Sequence, residues 1–232
     1  MASQRIYPLS FAQERLWRLG QLAPGSAVSN LVDVIHFEGT CDGEAMARAV
    51  TELVRRHGIL RTAFRDDNGQ SVQVVLPAIN MALPEMDLSV FPEEKRNREW
   101  ARELREQRQK PFNLPQGPLL RGTVIHLAPQ EHELLLILHP LVADESSREV
   151  IHQEINQLYE AFSQGRTSPL AELPTQYADF ACWQRDRLKG EVRQEQISYW
   201  KQELAGVPSA LELPTDKPRS GHFKGRSGLR PP

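Results

Sequence analysis

Residues 139 to 147 hold the groups best placed to do chemistry: His139, Asp144, Glu145, Ser146 and Ser147, with Pro140 beside the histidine. An imidazole that titrates near neutrality and is fixed within hydrogen-bond reach of a proton contributes about 10²–10⁴-fold to a rate as a general base. Asp144 has the look of an organiser, accepting loop amides or pairing with an arginine, for which Arg61 is the candidate. Pro140 supplies neither a titratable group nor a backbone N–H, and it presses His139 toward extended backbone. Side chains alternate in a strand, so the spacing predicts that His139 faces the core as a hydrogen-bonded histidine. Ser146 and Ser147 read as helix caps, not nucleophiles, because no His–Asp pair lies beside them in sequence.

Other chemistries lack their residues. There is no glycine-rich phosphate loop. His126, His132, His139 and His152 are scattered without zinc spacing, and Cys41 and Cys182 lie far apart, so no metal is expected. A net charge of −2 over 232 residues gives no reason to expect nucleic acid or an anionic membrane. Met1–Tyr7 has no apolar signal region, no run approaches membrane-spanning length, and the two cysteines fit a reduced compartment. The expectation is a cytoplasmic protein.

The elements that must position the loop follow from periodicity. The unbroken apolar run 134–138 reads as a strand covered on both faces, handing over at His139 to a helix over 147–163. Ser146 and Glu149 have capping-box spacing, Val150, Ile151, Ile155, Leu158 and Phe162 form the helix's apolar face, and Gly165 closes it. Ser10 caps a helix with Phe11, Leu16, Trp17 and Leu19 on one face. Residues 31–38 read as a strand. Asp42 then caps a helix carrying Ala45, Met46, Ala49, Val50, Leu53 and Val54, with Gly58 at its C′ position. Asp66-Asp67-Asn68-Gly69 marks a hairpin, and residues 93–109 a charged helix with Trp100 and Leu104 on one side. Strand 119–127 turns back into 133–138, residues 168–175 are a connection, and 190–204 form a charged helix. The fold class is α/β, built as an α+β sandwich.

The 139–145 stretch resembles the His-His-x-x-x-Asp-Gly signature of nonribosomal peptide synthetase condensation domains. His139 falls on the first histidine, Pro140 on the second, Asp144 on the aspartate and Glu145 on the glycine. Other stretches match the family's motifs in the family's order. Ser10, Ala12, Gln13, Arg15, Leu16 and Trp17 match the first, and Arg55–Phe64 resembles Arg-His-Glu-x-Leu-Arg-Thr-x-Phe with Gly58 for glutamate. Pro111–Leu114 and Pro118–Arg121 resemble Pro-Phe-Asp-Leu and Pro-Leu-Leu-Arg, with Asn113 for aspartate. Tyr177, Asp179, Phe180, Ala181 and Trp183 fit Tyr-x-Asp-Phe-Ala-x-Trp at every fixed position, and Leu213–Arg219 resembles the connector beyond.

The resemblance implies a chloramphenicol acetyltransferase-like lobe, a mixed sheet covered by helices on one face, with the motif loop at the interface to a second lobe. It divides the chain into an N-terminal lobe (1–175), a helical crossover and connector (176–219) leading toward a C-terminal lobe absent from this chain, and a disordered tail (220–232). It implies an enzyme that joins carrier-bound acyl or aminoacyl thioesters through an amide. Phosphopantetheine is then borne by peptidyl or acyl carrier proteins, and no cofactor is bound directly. In the family the second histidine is catalytic and faces the tunnel, the first histidine and the aspartate are structural, and the first motif lies near the tunnel mouth. With Pro140 at the catalytic position and one lobe only, this chain is expected to be catalytically incompetent alone. It would pair with a C-terminal lobe or self-associate through its exposed lobe face. The second expectation is a condensation-like platform that recruits a carrier protein or a tailoring enzyme.

Overall fold

The apolar run before His139 is an inner strand with neighbours on both edges. The computed structural model describes residues 5–22 and 30–208. Its first elements are β1 (Arg5–Pro8), α1 (Phe11–Leu22), β2 (Leu31–Glu38) and α2 (Gly43–Arg56), then a 3₁₀ turn (Gly58–Arg61). There follow β3 (Thr62–Asp67), β4 (Gln70–Val75), β5 (Glu85–Asp87) and α3 (Glu93–Gln109). Next come β6 (Leu120–Ala128), β7 (Glu131–Leu138), α4 (Glu145–Ser163), α5 (Tyr177–Arg187) and α6 (Gly190–Glu203). A four-stranded mixed sheet runs β2-β7-β6-β5, with only β5 parallel to its neighbour; an antiparallel sheet runs β1-β4-β3.

Strand alternation explains the unbroken apolar run. Leu134, Leu136 and Leu138 enter the main core with Ala49, Val50, Leu53 and Val54 of α2 and Ile151, Ile155 and Leu158 of α4. Leu135 and Ile137 enter a second cluster with Leu88 and Ile125, against which Trp100 and Leu104 of α3 pack. The four-stranded sheet is therefore covered by helices on both faces, where the resemblance implied one. Two apolar residues suffice for α3 because the second cluster is small, and Trp100 also donates its indole N–H to Glu133 at 2.6 Å.

The β3–β4 register is set by a two-residue turn in which Asn68 and Gly69 have φ of 52° and 80°, the conformation a tight hairpin demands. Asp42 caps α2 by accepting the Ala45 N–H at 2.9 Å, and Gly165, φ 68°, follows α4.

Gly58 does stand at C′, next after the His57 C-cap, but without the left-handed φ of a helix-ending glycine. It opens the 3₁₀ turn and is small because Gln176 approaches: its N–H donates to Gln176 Oε1 at 2.9 Å, and an added Cβ would stand 3.1 Å from that oxygen. Three local expectations are corrected. Of α1 only Gln13 is buried; Leu16 and Trp17 pack against the core but Phe11 and Leu19 are exposed. Val150 of α4 is likewise exposed. The cap of α4 is Asp144 with Ser147 three residues on, not Ser146 with Glu149.

By its contacts the chain divides into two units, Met1–Lys189 and Gly190–Pro232. Every element through α5 belongs to the first. The described part of the second is essentially α6, within which Tyr199 and Trp200 meet edge to face. The connector at Leu213–Arg219 and the tail at 220–232 lie outside the described residues. Among the described residues no helix is long and apolar enough to cross a membrane.

Candidate functional site

At the end of β7 the backbone bends sharply. The His139 N–H donates to the Leu119 carbonyl at 3.0 Å, and the His139 carbonyl accepts from Val142 N–H at 2.9 Å. The Leu141 N–H donates to His139 Nδ1 at 3.1 Å, so that nitrogen is an acceptor and the ring's proton sits on Nε2. The ring stands edge-on to Phe112, 6.2 Å between centroids, and Phe112 carries the Arg121 guanidinium 4.0 Å over its face. Burial pushes the His139 pKa down to about 4, so the ring is neutral at ordinary pH.

Asp144 organises the next step. One of its oxygens accepts from Ser147 N–H at 3.0 Å, Ser146 Oγ at 2.7 Å and Ser147 Oγ at 2.8 Å. Those hydroxyl donors hold its carboxyl below the usual carboxylate range. It does not pair with Arg61, whose guanidinium donates to the Leu76 carbonyl instead. Of the two partners expected, a loop amide and an arginine, the helix start supplies the first in Ser147 N–H, with the two serine hydroxyls beside it. Glu145 is the first residue of α4 and therefore helical, so nothing at this position calls for left-handed backbone. Its carboxylate points outward to Arg148 at 3.0 Å, and Arg148 also reaches the buried Asp33 of β2 at 3.1 Å, which His152 contacts at 2.9 Å.

Two further helices fix this loop. Ser10 Oγ accepts from Gln13 N–H at 3.1 Å while Gln13 Oε1 accepts from Ser10 N–H at 2.9 Å, a capping box at the start of α1. Gln13 then donates its amide to the Leu141 carbonyl at 3.2 Å, tying α1 to the loop. Ser10 Oγ also meets the Tyr177 hydroxyl at 2.9 Å. Asp179 accepts from Gln176 N–H at 2.9 Å and so caps α5. Arg185 of α5 donates to the Leu9 carbonyl at 2.7 Å, pairs with Glu14, and lies 4.2 Å over Phe11.

These parts line an open-sided cavity of about 550 Å³. Pro140 is on its wall with Leu141, Val142 and Asp144; Gln13 and Leu16 contribute from α1, Val150 from α4, and Tyr177 and Phe180 from α5. His139 is not among the lining residues, and neither is Glu145. Arg15 is exposed, Trp17 packs into the core, and Trp183 is exposed on α5, where it stacks on Phe180 at 5.8 Å. Arg61 sits at the end of the 3₁₀ turn, away from the loop carboxylate.

Among the described residues, the only imidazole lining the cavity is that of His57, to which sequence spacing assigns no role. Its Nε2 meets Glu154 at 2.9 Å, a carboxylate shared with Arg56 at 3.1 Å. Burial works to raise the Glu154 pKa, but the bonds from Arg56 and His57 outweigh it and hold the carboxyl low. No sequence signal joins His57 to Glu154; only the packing of α2 against α4 does.

The comparisons with known proteins agree with this architecture. The Condensation domain family matches residues 3–227. A linear gramicidin synthase of Brevibacillus parabrevis is 45% identical over 212 residues, 91% of this chain and 3% of that protein. Phosphinothricin tripeptide synthetase PhsB of Streptomyces viridochromogenes is 38% identical over 221 residues, 95% of this chain and 18% of that protein. Among solved structures, the starter condensation domain of rhizomide synthetase RzmA superposes with a TM-score of 0.77 at 24% identity, covering 88% of this chain and 49% of that one. The X-domain from teicoplanin biosynthesis gives 0.80 at 28% identity, covering 95% and 48%, and a complex of the X-domain and OxyB gives 0.81. The chain belongs to the condensation-domain family of nonribosomal peptide synthetases. It has the chloramphenicol acetyltransferase-like fold, and it spans about half the length of those solved relatives.

Proposed function

We propose that the chain is the N-terminal, donor-side lobe of a condensation domain. The whole enzyme would join two acyl or aminoacyl groups carried on the phosphopantetheine arms of carrier proteins. In that reaction the amine attacks the thioester carbonyl, the C–N bond forms as the C–S bond breaks, the thiol leaves, and the amine must shed a proton. The observation that carries the reading is which residue of the motif reaches the cavity: position 140 lines it and position 139 does not. The position at which the family places its base is thus the one presented to substrate, and here it holds a proline.

Pro140 accepts no proton. His139 does not replace it, because its Nδ1 is engaged by Leu141 and its ring is pressed against Phe112. His57 has its Nε2 occupied by Glu154. This lobe therefore binds and positions, and amide formation requires a second lobe and a histidine at position 140. The test supplies a matching C-terminal lobe and carrier-bound substrates to the chain and to its Pro140→His variant, reading amide product by mass spectrometry. Product from the variant alone is expected; product from the unaltered chain would overturn the assignment of position 140.

A second reading, a non-catalytic platform that recruits a carrier protein or tailoring enzyme, is favoured by Pro140 together with the likeness to the X-domain, which has been solved in complex with OxyB. Affinity capture from the native host separates the two. Recovery of a C-terminal lobe supports the first, and recovery of a tailoring enzyme without a lobe supports the second.

A further inference from the structure

At the end of β7 opposite His139, the fold gathers three donors that the sequence scatters. Cys41 lies in the β2–α2 connection, His126 near the end of β6 and His132 near the start of β7, and their ligand atoms all lie within 4.8 Å of one another. His126 and His132 are opposite one another across the hairpin, just before a bulge between His126 and Ala128. Gly39 N–H donates to the Gln130 carbonyl at 3.0 Å, which ties the cysteine's loop to the hairpin turn.

The hydrogen bonds around the two rings fix where their protons are. His132 Nε2 meets the Gly39 carbonyl at 2.9 Å, and His126 Nε2 meets a Glu85 carboxylate oxygen at 3.0 Å. The Gly39 carbonyl only accepts, so His132 Nε2 carries a hydrogen, and His126 Nε2 donates likewise to the Glu85 carboxylate. In neutral rings the lone pairs are then on Nδ1, and the two Nδ1 atoms face each other at 2.8 Å. Two lone pairs that close, with the Cys41 sulfur beside them, mark a place for a bound cation.

We propose that Cys41, His126 and His132 form a divalent transition-metal site of the zinc type, with a fourth position open to water. Thiolate and imidazole are the ligands that zinc takes and that magnesium and calcium do not. Zn–N distances of about 2.0–2.1 Å in a tetrahedron place the two nitrogens roughly 3.3 Å apart. The rings must therefore part by about half an ångström, and His126 is the less buried of the two. The Glu85 carboxylate and the Gly39 carbonyl are the outer partners that hold ligating histidines in the right tautomer. The bound ion would clip the β2–α2 connection to the β6–β7 hairpin and, through Glu85, to the start of β5.

The test titrates metal-stripped chain with Co²⁺ and then Zn²⁺. One Co²⁺ per chain, with an intense thiolate-to-cobalt charge-transfer absorption that Zn²⁺ abolishes, is expected. Cys41→Ser should lose that band and Cys182→Ser should keep it. Glu85→Ala should keep the band but bind about 10–100-fold more weakly, as loss of an outer partner does. In the unaltered chain, a readout that needs no variant, Zn²⁺ should slow alkylation of Cys41 mapped by mass spectrometry. No charge-transfer band, a band that survives Cys41→Ser, or an alkylation rate indifferent to Zn²⁺ would overturn the site.

Discussion

His139 is held as a neutral ring, and this gives the fold a pH dependence. Its folded pKa of about 4 lies below the ordinary 6.5 because burial disfavours the charged ring. On acidification the unfolded chain takes up the proton first. The stability associated with burying the neutral ring is therefore complete above pH 6.5 and is lost as pH falls from 6.5 toward 4, by about 3 kcal/mol at most. His139→Asn keeps an acceptor for the Leu141 N–H but cannot titrate. Urea midpoints across this range should fall less steeply with acid in the variant than in the parent, and equal slopes would exclude His139 as the source. Asp144 gives a second prediction at this scale. Removing its carboxylate leaves Ser147 N–H and both serine hydroxyls without their acceptor, so Asp144→Ala should cost about 1–2 kcal/mol in urea unfolding, the upper part of the range for a lost helix cap. Arg61→Ala should leave that cap intact.

Among the elements, those fixed by local pattern were legible in the sequence and those fixed by distant partners were not. Asn68-Gly69 specifies its hairpin alone, and the spacing of Ala45 through Val54 specifies the buried face of α2. Pro140, Gln13 and Tyr177, which the motif spacing singles out, line one cavity. The choice of Asp144 over Ser146 as cap turned on two residues of offset, and the role of Gly58 depended on Gln176 arriving from far along the chain. The meeting of Cys41 with His126 and His132 likewise follows from sheet pairing and loop placement rather than spacing. Gly122 in β6 tests the tightness of that pairing. A Cβ there would stand 2.9 Å from methyls of both Leu136 and Leu83 and 3.4 Å from the Leu135 carbonyl. Gly122→Ala should therefore destabilise by about 1–3 kcal/mol through overpacking, read as a lower urea midpoint at unchanged slope. An unchanged midpoint would mean that the two leucines yield without cost.

For the molecule as a whole, the cavity wall is where the proposed lobe reading is most exposed to test. Val150 and Phe180 line the cavity yet are 44% and 39% exposed, positions at which a soluble helix ordinarily carries polar side chains. Their apolar character contributes little to this chain's own core, because a residue left in water gains little from burial. It becomes favourable when a second surface covers them, which is what the proposed lobe reading requires. The double variant Val150→Ser, Phe180→Ser should then unfold at nearly the parent's urea midpoint while binding a separately produced C-terminal lobe at least about tenfold more weakly, since a buried aromatic at the centre of an interface is commonly worth about 2 kcal/mol or more. Titration calorimetry of the two purified lobes reads the affinity and sedimentation velocity reads self-association. Unchanged affinity would move the lobe interface off this cavity. A lower midpoint would instead assign both residues to the chain's own packing.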